Sequence, residues 1–194
     1  MYVLFEGVDT CGKSTQIELF KERKKGILAT KEPGGTAIGV SLRKILLEGS
    51  EKLSTNAELF LFLADRAEHY EKVVKPNREK MTVLSDRGFI SGISYALANH
   101  FELSQEYLIE LNKFAIDGNF PEKVVLFLSD FDLICERLGA KDNDSIEARG
   151  IEYLLRVQLL MQETLKKLPI EVLEVDARHD IETIYNLIED FIYD

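Results

Sequence analysis

The sequence contains few cysteines and no long hydrophobic run, and both absences exclude classes of protein. Two cysteines among 194 residues cannot form the disulfide framework of a small secreted domain. We interpret Cys11 as a small space-filling residue and Cys135 as a core residue of a helix. No apolar stretch is long enough to cross a bilayer. Because the start, Met1-Tyr2-Val3, already resembles a core strand, we expect no signal peptide, no membrane contact and a cytoplasmic location.

Positive charge is also scarce. The chain has 24 lysines and arginines against 34 aspartates and glutamates, a formal net charge of −10. Nucleic-acid binding depends on neutralising many phosphates, so this balance argues against a nucleic-acid partner. Small anionic ligands remain possible, since they need only a local cluster of cations and backbone N–H groups. A composition of 45% hydrophobic and 30% charged residues is typical of a globular domain.

The most informative stretch is a P-loop near the start of the chain. Residues 7–14 read Gly-Val-Asp-Thr-Cys-Gly-Lys-Ser, which is the G-x-x-x-x-G-K-[ST] spacing. Apolar residues 2–5 precede it as a buried strand, and residues 16–23 follow with a helical pattern. Such a strand–loop–helix unit directs backbone N–H groups at a phosphate. The pattern therefore predicts phosphate binding, with a chance match in an ordinary turn as the alternative.

Strands and helices alternate along the chain. Apolar, β-prone segments predict five strands, at residues 2–5, 26–30, 81–85, 123–128 and 170–175. Helical patterns lie between and after them, at residues 16–23, 38–47, 56–74, 88–99, 104–114, 132–138, 146–167 and 181–192, of which 88–99 begins as a loop that runs into a helix. Pro76 is expected to end the third helix, and Ser104 to cap the fifth.

This alternation predicts an α/β fold with a parallel sheet covered on both faces. With the P-loop, it indicates a three-layer α/β/α P-loop NTPase with a five-stranded parallel sheet. No linker or repeat interrupts the pattern, so we expect one domain over residues 1–194. The polar break at residues 139–145 predicts a short lid, at about residues 138–148.

A P-loop alone fits GTPases, ATPases, nucleotide kinases and small-metabolite kinases. The sequence has no Asn-Lys-x-Asp segment, which counts against a GTPase, and it is short for a motor ATPase. Asp86 follows a buried strand, where P-loop enzymes place a carboxylate near the metal.

Four segments together resemble the thymidylate kinases of the nucleoside-monophosphate kinase group. They are residues 5–16 (Phe-Glu-Gly-Val-Asp … Gly-Lys-Ser-Thr-Gln), 30–43 (Thr-Lys-Glu-Pro-Gly-Gly-Thr … Leu-Arg), 61–69 (Leu-Phe-Leu-Ala-Asp-Arg-Ala-Glu-His) and 85–95 (Ser-Asp-Arg … Ser … Tyr). The resemblance covers essentially the whole chain. It implies transfer of the ATP γ-phosphoryl to dTMP, giving dTDP and ADP in dTTP biosynthesis, with Mg²⁺ as cofactor and a homodimeric assembly.

The resemblance also implies a role for each site residue. The expected ATP-binding residues are Gly7, Val8, Asp9, Thr10, Cys11, Gly12, Lys13, Ser14 and Thr15. The expected dTMP-binding residues are Asp9, Glu32, Pro33, Arg43, Phe62, Arg66, Arg87, Ser91 and Tyr95. Lys13 would hold the β/γ-phosphates, Ser14 would ligate Mg²⁺, and Asp86 would reach the metal through water.

Several acceptor-site roles have simpler alternatives. Asp9 would bind the deoxyribose 3′-hydroxyl, or else only stabilise a turn. Phe62 would stack on the base beside Arg66, four residues on; helical spacing alone favours a core residue. Arg43 and Arg87 would bind phosphate, or form surface ion pairs. Tyr95 would pack against the sugar, or only against a helix.

The chain departs from the family pattern in its arginines. Thr10 stands where many members carry arginine, and Ser145 replaces a usual lid arginine. Lys141 is the only cation inside the lid. Because phosphoryl transfer needs a cation on the transferred group, we hypothesise that Lys141, assisted by Arg137, supplies it alongside the catalytic residues Lys13, Asp86 and Arg87. Two alternatives remain: a kinase for another nucleoside monophosphate or a deoxynucleoside, and a non-catalytic nucleotide-binding module.

Overall fold

A parallel β-sheet forms the centre of the protein, described by a computed structural model over residues 1–49, 51–99, 102–138 and 150–193. Its five strands are β1 (Tyr2–Glu6), β2 (Ile27–Lys31), β3 (Thr82–Asp86), β4 (Lys123–Leu128) and β5 (Glu171–Asp176). They lie in the order β2-β3-β1-β4-β5, and every neighbouring pair is parallel. The predicted parallel sheet is confirmed.

The helices follow the strands in the expected alternation. They are α1 (Lys13–Arg23), α2 (Ala37–Arg43), α3 (Thr55–His69), α4 (Lys75–Asn77), α5 (Phe89–Asn99), α6 (Gln105–Ala115), α7 (Phe131–Leu138), α8 (Ile151–Leu165) and α9 (Ile181–Tyr193). Two π-helical turns extend them, Lys44–Glu48 after α2 and Tyr70–Val74 between α3 and α4. None of the helices in the described ranges is long and apolar enough to span a membrane.

Hydrophobic residues fill both sides of the sheet. Because strand side chains alternate in direction, Tyr2 and Leu4 of β1 pack into one core with residues of α3, α5, α6 and α8. Val3 and Phe5 pack into a second core with residues of α1 and α9. This arrangement gives the three layers that the sequence predicts.

Two local predictions differ from the structure, and a third falls outside the residues that it describes. Pro76 does not stop the helix at Val74, since α4 continues to Asn77. The proline follows a π-helical turn in which the Lys75 N–H donates to the Tyr70 carbonyl, so the backbone there is already outside the i→i−4 pattern that proline interrupts. Cys135 is exposed rather than part of the core. The predicted lid at residues 138–148 lies outside the described residues apart from Leu138, the last residue of α7.

The strand register gathers the site residues at one edge of the sheet. Asp86, the last residue of β3, is level with Phe5 of β1 and with Lys31 of β2. The P-loop and the loop from Glu32 therefore leave the sheet beside Asp86. This is the edge at which open α/β sheets bind ligands.

Candidate active site

The P-loop closes around its own lysine. α1 begins at Lys13, directly after Gly12, whose φ of +103° lies in the left-handed region that favours glycine. Lys13 Nζ donates to the carbonyl oxygens of Gly7 at 3.1 Å and Val8 at 2.8 Å, and contacts Cys11 Sγ at 3.3 Å. The ammonium group of Lys13 therefore lies beside the N-terminus of α1, in the position from which P-loop lysines reach phosphates.

Gly7 and Cys11 are packed too tightly for larger residues. A Cβ on Gly7 would lie 2.8 Å from the Phe127 carbonyl oxygen and 2.9 Å from Cys11 Sγ. Cys11 itself is 1% exposed, which agrees with the space-filling interpretation.

Ser14 and Asp86 form an oxygen pair beside the loop. The Ser14 hydroxyl donates to Asp86 Oδ2 at 2.6 Å. A hydroxyl and a carboxylate are donors that Mg²⁺ accepts, and Mg²⁺ usually takes one or two such groups together with substrate phosphates. The described residues contain no cluster of three or more acidic, histidine or cysteine side chains that could hold a metal alone. The Ser14 hydroxyl and the Asp86 carboxylate fit a Mg²⁺ ion whose other ligands are phosphate and water oxygens.

Arg87 links the P-loop to α5. Its Nη1 donates to the Gly7 carbonyl at 2.9 Å and to Ser91 Oγ at 3.0 Å, and its Nη2 donates to Asp9 Oδ1. Burial opposes its charge, but Tyr95 and the carboxyls of Asp9 and Glu6 raise the pKa of Arg87. Arg87 is therefore a fixed cation, and Asp9 is its counter-ion. The sequence allowed an ion pair for Arg87, but it did not indicate Asp9 as the partner.

Two adjoining cavities share the Arg87 region. The larger, about 700 Å³, is lined by the P-loop together with Asp86 and Arg137. The smaller, about 250 Å³, is lined by residues that include Phe62, Arg66 and Tyr95. Both cavities are lined by Asp9, Glu32, Arg43 and Arg87. Two arginines thus lie where ligands in the two cavities would meet.

Phe62 belongs to the smaller cavity rather than to the core. Its side chain is partly exposed, and the core on that side of the sheet includes its neighbours Leu59 and Leu63 but not Phe62. An aromatic face at a cavity wall can stack on a planar base. The core interpretation suggested by helical spacing is therefore not supported.

Glu32 and Arg66 form a buried ion pair beside that cavity. Arg66 Nε donates to Glu32 Oε2 at 2.9 Å, and His69 Nδ1 lies 2.7 Å from Glu32 Oε1. The far ring nitrogen of His69 lies 2.7 Å from Thr30 Oγ1. Burial alone would raise the pKa of Glu32, but the charge of Arg66 and the His69 hydrogen bond hold it below its ordinary value.

Arg43 and Pro33 are also placed at this wall. Arg43 Nη1 donates to the Pro33 carbonyl at 3.0 Å, and both residues line the smaller cavity. Asp65 fixes the same loop from α3, since its Oδ1 accepts from the Gly34 N–H at 3.0 Å.

Glu6 is a buried carboxyl that sequence reasoning missed as a site residue. It accepts hydrogen bonds from the Ser91 N–H at 3.2 Å and from the Ser91 hydroxyl. Burial raises the pKa of Glu6, and the Ser91 hydrogen bond and the charge of Arg87 partly oppose that rise. Glu6 therefore orients Ser91, which in turn accepts from Arg87. The only sequence signal was its place in the segment shared with the family.

Arg137 is tied to backbone carbonyls. Its Nη1 donates to Thr10 at 2.9 Å and its Nη2 to Ala177 at 2.6 Å. It lines the larger cavity and anchors the P-loop to the end of β5. Its predicted catalytic role stays a prediction, and Lys141 lies outside the described residues.

A family model described as "Thymidylate kinase" matches residues 5–188 of the chain. The chain belongs to the thymidylate kinase family. A thymidylate kinase of Campylobacter concisus (strain 13826) is 55% identical over 193 residues, which is 99% of this chain and 98% of that protein. A thymidylate kinase of Sulfurovum sp. (strain NBC37-1) is 54% identical, over 97% of both chains.

A solved thymidylate kinase has the same fold. The crystal structure from Ehrlichia chaffeensis is similar with a TM-score of 0.74 and 26% identity, over 99% of this chain and 98% of that one. This similarity of fold confirms the predicted P-loop NTPase architecture.

Proposed function

We propose that this chain transfers the γ-phosphoryl group of ATP to dTMP, giving dTDP and ADP for dTTP synthesis. The observation that carries the proposal is the pair of adjoining cavities, one at the P-loop and one beside Phe62 and Arg66. Arg43 and Arg87 line both cavities. Two phosphorylated ligands bound in them would present their phosphates to each other between these arginines, and phosphoryl transfer depends mainly on such positioning and charge neutralisation.

The donor side uses the P-loop. Lys13 would exchange its contacts with the loop carbonyls for the ATP phosphates, and the N–H groups at the start of α1 would bind them as well. Ser14 and Asp86 would hold Mg²⁺, which neutralises phosphate charge when it is bound with ATP. Arg137 would stabilise the conformation of the P-loop through its hydrogen bond to the Thr10 carbonyl.

The acceptor side would bind dTMP between α3 and α5. Phe62 would stack on the thymine base, and Arg66 would donate to a base carbonyl. Asp9 and Tyr95 would face the deoxyribose, while Arg43 and Arg87 would bind the phosphate. Arg87 is already oriented by Gly7, Ser91 and Asp9, so little ordering is needed on binding.

We further propose a homodimer and a cytoplasmic location. Large apolar side chains are exposed on helices that pack together, α2 with α3 and α3 with α6. They are Val40, Phe60, Tyr107 and Phe114, with exposed fractions of 47%, 60%, 54% and 86%, and Ile45 of the π-helical turn after α2 is 48% exposed. Contiguous exposed apolar surface marks interfaces between chains, and these neighbouring helices would supply it.

A screen of acceptors tests the proposed substrate. ADP release from ATP is measured with dTMP, dUMP, dCMP, dAMP, dGMP and thymidine, with Lys13→Ala as the control for activity from this site. The proposal expects kcat/KM to be highest for dTMP and to fall at least about a hundredfold in Lys13→Ala, since the lysine contacts the reacting phosphates. A clear preference for another acceptor would overturn dTMP as substrate. Binding of both nucleotides without turnover would favour a non-catalytic module.

A further inference from the structure

Asn112 is a buried amide on α6 that contacts Arg66. Its Oδ1 accepts from Arg66 Nη1, and its Nδ2 donates to the Leu108 carbonyl at 2.7 Å. A carbonyl oxygen can only accept, so Leu108 fixes which end of the amide is Nδ2 and leaves Oδ1 for the guanidinium. Asn112 is 1% exposed, and like Arg66 it lies at the wall of the smaller cavity.

Arg66 is held from two sides by partners on different elements. Glu32 binds Nε from the loop after β2, and Asn112 binds Nη1 from α6. Gly92 of α5 closes a third side, since a Cβ there would lie 3.0 Å from both Nη1 and Nη2. No hydrogen-bond acceptor for Nη2 is found in the described ranges, and Arg66 lines the smaller cavity. Nη2 is therefore the nitrogen with both N–H groups left to serve a ligand, and Nη1 keeps one.

We infer that Asn112 is a positioning residue that makes the site select an oxo group, rather than an amino group, at C4 of a pyrimidine base. The inference rests on the proposed function. A guanidinium only donates hydrogen bonds, so it matches an oxo group and opposes an amino group. The mismatch is severe only while the guanidinium cannot turn away. Glu32 fixes one end of the guanidinium plane and Asn112 fixes the other.

A comparison of two nucleotide substrates isolates the preference for an oxo group at C4. dTMP and 5-methyl-dCMP share the methyl group, sugar and phosphate, and they differ in the C4 substituent and the N3 proton. A site built around a hydrogen bond rejects the mismatched ligand strongly, because buried polar groups are left unpaired. We expect the wild-type chain to prefer dTMP at least about a hundredfold in kcat/KM.

The test compares Asn112→Leu, which is similar in size and removes the acceptor, with Asn112→Asp, which keeps an acceptor for Arg66. Asn112→Leu is expected to lower the dTMP preference by about tenfold or more, with the KM for ATP within about twofold of wild type. Asn112→Asp is expected to keep the preference within about threefold. Asn112→Ala makes the same comparison if Asn112→Leu fails to fold.

Thr164→Val is the matched control. Thr164 is 0% exposed, and like Asn112 it donates to a carbonyl of its own helix, that of Leu160 at 2.7 Å. It lines neither cavity, so its loss should lower the melting temperature without changing the preference.

An Asn112→Leu chain that loses melting temperature as Thr164→Val does, while keeping the full preference, would overturn the inference. A wild-type chain that does not phosphorylate dTMP would overturn the proposed function instead. The two failures are therefore distinguishable in one set of assays.

Discussion

At the scale of single residues, Glu32 is a carboxylate whose partners hold it charged inside the protein. The side chains of Glu32 and Arg66 are each only 4% exposed. Removing one partner of a buried pair leaves the other charge uncompensated, which costs roughly 3–5 kcal/mol. We expect Glu32→Gln to lower the free energy of unfolding by about 3 kcal/mol in urea titrations.

The exposed pair of Glu182 and Arg23 provides the control. Glu182 is 61% exposed, and exposed ion pairs contribute less than about 1 kcal/mol. Glu182→Gln should therefore change stability little. Equal losses of unfolding free energy in Glu32→Gln and Glu182→Gln would contradict the expected stabilisation by the buried pair.

The pH dependence of the Glu32 contribution follows from its lowered pKa. A carboxyl with a lower pKa in the folded state adds stability that is complete above its unfolded pKa, about 4.3, and is lost as pH falls through the folded value. The stability gap between wild type and Glu32→Gln should therefore narrow below about pH 4. Melting temperatures of both proteins between pH 7 and pH 3.5 check this, and a gap that widens on acidification would contradict it.

Lys141 is the residue that we expect to neutralise the transferred phosphoryl group in the transition state. Thr10 supplies no arginine from the P-loop, and Arg137 is engaged by the carbonyls of Thr10 and Ala177. We expect Lys141→Ala to lower kcat by about tenfold or more, because a cation on the transferred phosphoryl acts mainly in the transition state. Lys166→Ala, an exposed lysine at the end of α8, is the control. A kcat for Lys141→Ala within about threefold of wild type would show that the idea is wrong.

Much of the site follows from local sequence, but its buried partners do not. Lys13, Ser14 and Asp86 lie in short patterns whose strand and helix context fixes their geometry. Asn112 lies 46 residues from Arg66, and no local pattern indicates that they meet. From the sequence, Glu32 was expected among the dTMP-binding residues. Its pairing with Arg66 and His69 could not be predicted, because it depends on how β2 and α3 pack.

At the scale of elements, α2 contains a glycine that its surroundings require. Alanine usually stabilises a helix interior relative to glycine by about 0.5–1 kcal/mol. A Cβ on Gly39, however, would lie 2.5 Å from Asp65 Oδ1 and 3.0 Å from Thr36 Oγ1. Asp65 also binds the Gly34 N–H, so a shift of its carboxyl would disturb the loop at the acceptor cavity.

We therefore expect Gly39→Ala to destabilise the chain by about 1–3 kcal/mol, the usual cost of overpacking, and to raise the KM for dTMP. Urea titration and steady-state kinetics measure the two effects. Ser41→Ala on the exposed side of the same helix should stay within about 0.5 kcal/mol of wild type. A Gly39→Ala chain as stable as Ser41→Ala would contradict the packing argument.

Features of the helices and strands that depend on local sequence could be predicted. Features that depend on packing between elements could not. All five strands follow from short apolar runs, each with bounds within a residue or so of those observed. The Ser104 cap is confirmed, since its hydroxyl accepts from the Tyr107 N–H at 3.1 Å. The strand order and the π-turn Tyr70–Val74 depend on contacts between elements, which composition and periodicity do not encode.

At the scale of the whole molecule, the exposed apolar side chains of α2, α3 and α6 predict self-association. Phe60 of α3 is 60% exposed. A charge at that position would have to be buried without a partner in an interface. We expect light scattering to give a dimer mass for wild type and a monomer mass for Phe60→Lys at the same concentration. A monomeric wild-type chain would refute the proposed homodimer.

Transfer between two bound nucleotides is the central claim, and the fate of labelled phosphate tests it most directly. The chain is incubated with ATP labelled at the γ-phosphoryl group, dTMP and Mg²⁺, and the products are separated. The account predicts that the label appears in dTDP, and that Lys13→Ala abolishes this transfer. Label found only in inorganic phosphate, or remaining in ATP, would contradict it.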